Sequence, residues 1–411
     1  MPIASGIAKQ VVIKKETAWA APGPVRTGAQ YLRRRTSTPD LRKETYSSEE
    51  MRTDYQRSDF RHGGRSVVGT LGGELAPGSY PMLFAAMLRR DFTAVTPAVA
   101  VSLTVAGTGP TYTVTRAAGS YITDGFRVGM VVRLTVGALN VNNINKNLLI
   151  VDLTATVATV AVVNGTVMQA EGPIAGCTVS APGKVTYTPT AGHTDDSFAY
   201  EHWHSDISLS ELFLGVKVNN VKVGLPPTGI ATVDFDFLGK DLADVTVGRG
   251  GVAENVAYFT TPTAAGAGGV VAAVNGVVYA AGAPVALLTG LSFDYAGGMS
   301  GEAVVGSNTY PDISEGSVII KGEATVILQD KTFRDYFVNE TEVALIFAFS
   351  TGNGGTADFM SFALLRCKMG GATKDDGQKS IKQTVPFEAL VVPATQTNAY
   401  PTTMMVQDSL A

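Results

Sequence analysis

The sequence lacks the features of several common protein classes. No run of eighteen apolar residues occurs, and the first fifteen residues, MPIASGIAKQVVIKK, contain no apolar segment followed by a small-residue cleavage site. We therefore expect no membrane insertion and a chain that is made and kept in the cytosol. Cysteine is scarce as well. Cys177 and Cys367 lie far apart in the sequence, and in a reducing compartment such thiols are more often buried apolar side chains than a disulfide.

Recognisable catalytic motifs are also missing. GxSxG, GxxxxGK[ST] and HExxH do not occur, and no paired-cysteine spacing suits zinc. The stretch FAYEHWHSD contains His202 and His204, which a strand places on one face, but a zinc site needs a third and usually a fourth ligand. We predict no enzymatic activity, no cofactor and no bound metal, and we interpret both histidines as solvent-facing strand residues.

Charged residues are few and unevenly distributed. They make up 17% of the chain, while glycine alone contributes 45 residues, and long stretches are rich in Thr, Val and Ala. This composition predicts a mainly β protein of short strands separated by turns. Basic residues outnumber acidic ones in residues 1–93, whereas acidic residues dominate residues 192–411. Opposite charge at the two ends of one chain favours head-to-tail contact between copies.

The composition divides the chain into two architectures. Residues 94–191 read as regular short strands without helices, which predicts a small inserted β-barrel or sandwich domain. Strands precede and follow it, so residues 1–93 and 192–411 are interpreted as one discontinuous domain interrupted in a loop. Within that domain we predict short helices at about residues 80–90 and 331–339.

Local patterns fix several strands and turns. Period-two alternation in ATVDFDFLG places Asp234 and Asp236 opposite an apolar face, and the same alternation in SVIIKGEATVILQ places Glu323 on a polar face. The apolar phase slips in VKVNNVKV, which predicts a bulge or a turn at residues 219–220. The Asn-Gly pair at residues 275–276 predicts a tight hairpin with a type I′ turn.

Residues 16–65 have many charges and little apolar periodicity. Alone they could not bury enough surface to become ordered, so we interpret them as a long arm that a partner orders. The triplet Arg33, Arg34 and Arg35 suits carboxylates on a neighbouring copy, and Arg61 and Arg65 extend the same candidate surface. Nucleic-acid binding by this arm is disfavoured because acidic residues are interspersed with the basic ones.

Taken together, five stretches resemble the tail tube (major tail) proteins of long-tailed bacteriophages, in the subset that carries an inserted β module. In order along the chain they are VVGTLGGELAPGSYPMLFAAML, GSYITDGFRVGMVVRLTV with NNINKNLLIVDLTATVATV, SFAYEHWHSDISLSELFLGVKVNNVKVGLPPTGIATVDFDFLGKD, NGVVYAAGAPVALLTGLSFDY and SIKQTVPFEALVV. The resemblance implies a tail-tube-type antiparallel β-sandwich or barrel with short flanking helices, plus the inserted all-β domain.

The resemblance also implies a function and partners. Six copies would close a ring, and the rings would stack into a virion tail tube that conducts double-stranded DNA. The subunit would assemble in the host cytoplasm with tape measure, tail terminator and distal tail proteins. Duplex DNA carries one negative charge per ~1.7 Å, so a basic wall would retain it. We therefore expect an acidic channel with Asp234, Asp236 and Glu323 as candidate lining residues, and we expect the arm arginines to order against acidic surfaces of an adjacent ring.

Three alternatives remain open at the level of sequence. A tail terminator or distal tail ring would share the fold without stacking. The insert could instead bind a host surface, with Tyr112, Phe126 and Tyr187 as candidates for stacking on a ligand. A metal-dependent hydrolase would require the histidine stretch to bind zinc.

Overall fold

The computed structural model describes residues 3–165, 167–285, 287–376 and 378–411, and the chain is mainly β. The chain begins with strands β1 (Lys9–Lys15), β2 (Gln30–Tyr31), β3 (Thr36–Ser37), β4 (Asp40–Ser47) and β5 (Phe60–Glu74). Helix α1 (Pro81–Leu88) follows them. The next six strands are β6 (Ala98–Ala106), β7 (Thr111–Arg116), β8 (Val131–Thr135), β9 (Leu148–Leu153), β10 (Val157–Val162) and β11 (Glu171–Ser180).

The remaining elements return to the main body. They begin with β12 (Lys184–Tyr187), β13 (Phe198–His204), β14 (Leu209–Leu225), β15 (Thr232–Gly239), β16 (Asp241–Ala243), β17 (Gly276–Ala280) and β18 (Ala283–Pro284). They continue with β19 (Leu288–Ala296), β20 (Ser300–Gly301), β21 (Ile313–Ser314), β22 (Ile319–Ile327) and helix α2 (Thr332–Val338). They end with β23 (Val343–Ser350), β24 (Phe359–Met369), β25 (Thr373–Lys374), β26 (Lys382–Ala389) and β27 (Met405–Asp408).

Six antiparallel strands form what we call the long sheet, in the order β5, β15, β14, β19, β22, β26. The predicted alternation is confirmed in β15, where every second residue is buried, and in β22. The predicted bulge is confirmed as well, since the pairing of β14 with β15 shifts register between Val218 and Asn220. Alternation of this kind leaves one face of the sheet apolar and the other polar.

A second layer, which we call the second sheet, has the order β17, β23, β24, β27, β12 and covers the apolar face of the long sheet. The two layers are joined at one edge, where β24 also pairs with β26. Aromatic rings join the two layers: Phe293 of the long sheet lies 5.5 Å from Phe362 of the second, measured between ring centroids. Helix α1 closes one end of this core, with Phe84 at 5.4 Å from Phe235. The helix is confirmed near its predicted position, and residues Leu83–Leu88 are all buried.

The inserted strands close into a barrel in the order β10, β7, β6, β11, β8, β9. Its core is continuous with residues of the second sheet, including Ile346, Phe359 and Met405. Cys177 is buried in the barrel and Cys367 in the second sheet, and both are free thiols, as predicted. No helix among the described residues is both long and apolar enough to cross a membrane.

A small third sheet, in the order β2, β1, β13, β14, β16, is built on the first half of β14. The second half of the same strand belongs to the long sheet. The change of direction occurs at Gly215, whose φ is 66°. A Cβ there would lie 2.8 Å from the Cβ of Ala20, so both the backbone conformation and the space require glycine.

Two local predictions are wrong. The Asn275-Gly276 pair does not form a hairpin turn, because Gly276 is extended (φ −147°) and begins β17, which pairs with β23. The hairpin lies further on, at Ala281 and Gly282, where φ is 50° and 77°. The prediction that a partner must order the arm is wrong for residues 16–39. These residues pack on the body of their own chain, for example through the hydrogen bond from Gly215 N to Glu16 Oε1 (3.0 Å).

Candidate functional surfaces

The polar side of the long sheet, which we call the polar face, carries a line of alternating charges. Strand register places Asp234 of β15 opposite Lys222 of β14, Lys222 opposite Asp294 of β19, Asp294 opposite Lys321 of β22, and Lys321 opposite Glu388 of β26. Lys222 Nζ lies 4.0 Å from Asp294 Oδ1, and Lys321 Nζ lies 3.6 Å from Glu388 Oε2. The sheet therefore aligns residues that are more than 150 positions apart in the sequence.

The three predicted lining residues all lie on this polar face. Partial burial raises the pKa of Asp234, against a smaller lowering influence from Arg35. Asp236 accepts a hydrogen bond from Thr70 Oγ1 at 2.6 Å. Glu323 is exposed and borders a shallow depression of about 440 Å³. Sequence reasoning placed each of the three on the polar face of its own strand. It missed the carboxylates of Asp294 and Glu388, although each occupies the polar phase of an alternating strand.

Three of the candidate arm arginines are partly buried against their own chain. Arg33 Nη1 donates to Gly268 O (2.6 Å), Arg34 Nη2 donates to Gly6 O (2.7 Å), and Arg65 pairs with Asp241 at 2.6 Å.

The other two arginines are exposed. Arg35 lies beside the polar face, where its backbone N donates to Gly72 O at 2.7 Å. Arg61 pairs with Asp59 at 2.7 Å. The five arginines thus occupy different parts of the molecule rather than one common surface.

Strands β4 and β5 form a projecting hairpin. Acidic and basic side chains are equally numerous from Asp40 to Arg65, so the hairpin is not a basic arm. Its tip is fully open to solvent, with Met51 100% and Tyr55 99% exposed. Strand β4 pairs only with β5 among the described residues, so its other edge is unpaired. An open strand edge beside exposed apolar side chains is typical of a surface that another chain covers.

The histidines of FAYEHWHSD do not form a metal site. His202 is 2% exposed, its Nε2 lies 2.7 Å from Ser37 Oγ, and burial lowers its pKa to about 2, which keeps the ring neutral. The interpretation of His202 as a solvent-facing residue is therefore wrong, because residues around Ser37 cover that side of β13. His204 is partly exposed, with Nε2 3.5 Å from Glu211. Throughout the described part of the chain, no group of three possible ligands converges.

Nearby, a buried carboxylate and guanidinium hold the loop after β16 in place. Glu201 accepts hydrogen bonds from Ser210 Oγ (2.6 Å) and from Phe259 N (3.1 Å). Arg249 donates to Ser210 O (3.2 Å) and to Val252 O (3.0 Å). Every contact goes to the chain's own backbone or to a neighbouring side chain, so this pair acts in folding rather than in chemistry.

The aromatic residues proposed for ligand stacking on the insert are already engaged. Tyr112 and Phe126 are buried in the barrel. Tyr187 stacks on Tyr400 at 4.0 Å, with the Arg90 guanidinium over its other face at 4.0 Å. The interpretation of these rings as exposed is wrong, since each one packs within the chain.

These features define a structural β protein: a two-layer sandwich with an attached barrel, a charged polar face and a hairpin with an open edge. A comparison with sequence families matches residues 6–389 to the family described as phage tail tube protein. The chain belongs to that family, which indicates a structural subunit of the virion tail. A search of curated proteins found no match to this chain.

Proposed function

We propose that this chain is the repeating subunit of the tail tube, in which six copies close a ring, rings stack, and the channel conducts double-stranded DNA into the host. Assembly takes place in the host cytoplasm. Tape measure, tail terminator and distal tail proteins are its partners there. Family membership supports the tube itself. The observation that carries the finer proposal is the combination of the polar face and the unpaired edge of β4.

The unpaired edge supports self-assembly. Strand β4 presents free backbone donors and acceptors along Asp40–Ser47, and a second copy of the same chain can pair with them. A contact between different patches on identical subunits closes a ring when the rotation permits and otherwise extends a filament. The exposed tip, with Met51 and Tyr55, provides a separate apolar contact for a neighbouring copy.

The charge of the polar face supports its position as the channel wall. Carboxylates outnumber lysines there, since Asp236 and Glu323 add to the alternating line. A negatively charged wall repels phosphates, and small polar neighbours such as Ser292 and Thr232 keep it hydrated. Asp234, Asp236 and Glu323 remain the proposed lining residues, now joined by Asp294 and Glu388.

The test is negative-stain electron microscopy of the purified chain and of a variant in which residues 45–62 are replaced by Asn-Gly. The pairing of Lys43 with Arg65 leaves room for this two-residue turn, and residues 16–39 stay intact. We expect long tubes from the wild type, and no tubes from the variant despite an unchanged circular dichroism spectrum. Tubes formed by the shortened variant would refute the role of the hairpin, and single wild-type rings would favour the terminator or distal ring instead.

A further inference from the structure

Both lysines on the central strands of the polar face have a carboxylate on each neighbouring strand. Lys222 lies in register between Asp234 and Asp294, and Lys321 lies between Asp294 and Glu388. Asp294 is the residue common to both sets, because β19 runs between the two lysine-bearing strands. Removing its charge takes one neighbouring carboxylate from each lysine, while Asp234 stays opposite Lys222 and Glu388 stays 3.6 Å from Lys321.

The stability of the fold does not explain this arrangement. The side chains of Lys222 and Lys321 are 61% and 67% exposed, and their partners Asp294 and Glu388 are 59% and 49% exposed. Ion pairs of this kind in solvent contribute only about 0–1 kcal/mol each. Their larger effect is on the local potential, since an unpaired surface lysine attracts phosphate and a paired one does so much less.

We propose that Asp294 partly masks Lys222 and Lys321 and so weakens binding of duplex DNA to the long sheet. Each lysine that neutralises a phosphate adds affinity and steepens the salt dependence of binding, with a slope of about −0.9 in log K against log salt per phosphate. Losing Asp294 would leave each lysine with one opposite carboxylate instead of two, which makes the wall less repelling. The proposal deepens the channel function and rests on it, but the masking itself is a property of the single chain.

The test compares Asp294→Asn with Asp152→Asn as a matched control. Asp152 is an exposed aspartate on barrel strand β9, and the residue opposite it on β10 is Thr159 rather than a lysine. Binding of a fluorescently labelled 30-base-pair duplex is measured by anisotropy at 50 and 200 mM NaCl, with the chain below the critical concentration for tube formation so that the polar face is accessible. We expect Asp294→Asn to bind about threefold more tightly than the control at the lower salt, and to lose most of that gain at the higher salt.

A triple variant, Asp294→Asn with Lys222→Gln and Lys321→Gln, should return to the affinity of the control. Equal binding by Asp294→Asn and Asp152→Asn would overturn the masking proposal. The same preparations examined by electron microscopy keep the two proposals separate. Tubes formed by all variants with equal DNA binding would refute masking alone, whereas a wild type that forms no tubes would refute the channel function and leave the binding result intact.

Discussion

The two halves of strand β5 differ in how far their own chain covers them. From Val67 to Glu74 the strand lies between β15 and residues of β3 and β4, and its apolar side chains enter the core. From Phe60 to Ser66 it pairs with β4, and most of its side chains face solvent. One half is completed by its own chain. The other half lies in a hairpin whose outer edge its own chain leaves unpaired, and we propose that a neighbouring copy completes it.

The largest effect is expected from a substitution in the completed half of the molecule. Phe235 of β15 is fully buried and contacts Tyr80 and Phe84, with centroid distances of 5.4 Å to each. Phe235→Ala should lower the free energy of unfolding by about 3–5 kcal/mol, because it removes a large side chain and leaves a cavity. Urea denaturation followed by circular dichroism measures this loss. Phe60→Ala, at the exposed end of β5, serves as the control and should change stability by less than about 0.5 kcal/mol.

A second prediction concerns the buried carboxylate of Asp408. Asp408 of β27 accepts hydrogen bonds from Gly78 N (2.8 Å) and Leu410 N (2.8 Å), and burial raises its pKa from the ordinary 3.8 to about 6. The folded chain therefore holds this proton more tightly than the unfolded chain between about pH 4 and pH 6. The stabilisation is fully present below pH 4 and is lost as the pH rises through 6.

The size of this effect follows from the two pKa values. The wild type should lose about 3 kcal/mol relative to Asp408→Asn between pH 4 and pH 7, because each tenfold difference in proton affinity corresponds to about 1.4 kcal/mol. Chemical denaturation of both proteins across this range measures the difference. All other titrating groups are common to the two proteins, so parallel pH profiles would contradict the assignment to Asp408.

Sequence reasoning succeeded where neighbouring residues decide the structure. The alternation in β15 and β22 and the bulge at Asn220 depend on local periodicity, and each was predicted. The Asn275-Gly276 turn failed because pairing of β17 with β23 begins at Gly276 and overrides the local turn preference.

The errors at the candidate sites have a non-local cause. The burial of His202 depends on Ser37, which is distant in the sequence. The alignment of Asp294 with Lys222 and Lys321 depends on the order of the strands in the sheet, which periodicity does not reveal. A pattern of alternation assigns a residue to a face, but only the sheet assigns its neighbours on that face.

The smallest expected effect on stability is also the sharpest test of the exposed hairpin tip. Met51→Ser combined with Tyr55→Ser should change the free energy of unfolding by less than about 0.5 kcal/mol, since both side chains are almost completely exposed in the single chain. If a neighbouring copy covers them in the tube, each contributes about 1.5–3 kcal/mol to association. The critical concentration for tube formation should then rise at least tenfold, as measured by sedimentation.

The control is Val141→Ser with Val167→Ser, which removes exposed apolar side chains from barrel loops. Equal critical concentrations for the two double variants would show that the tip makes no contact in the tube.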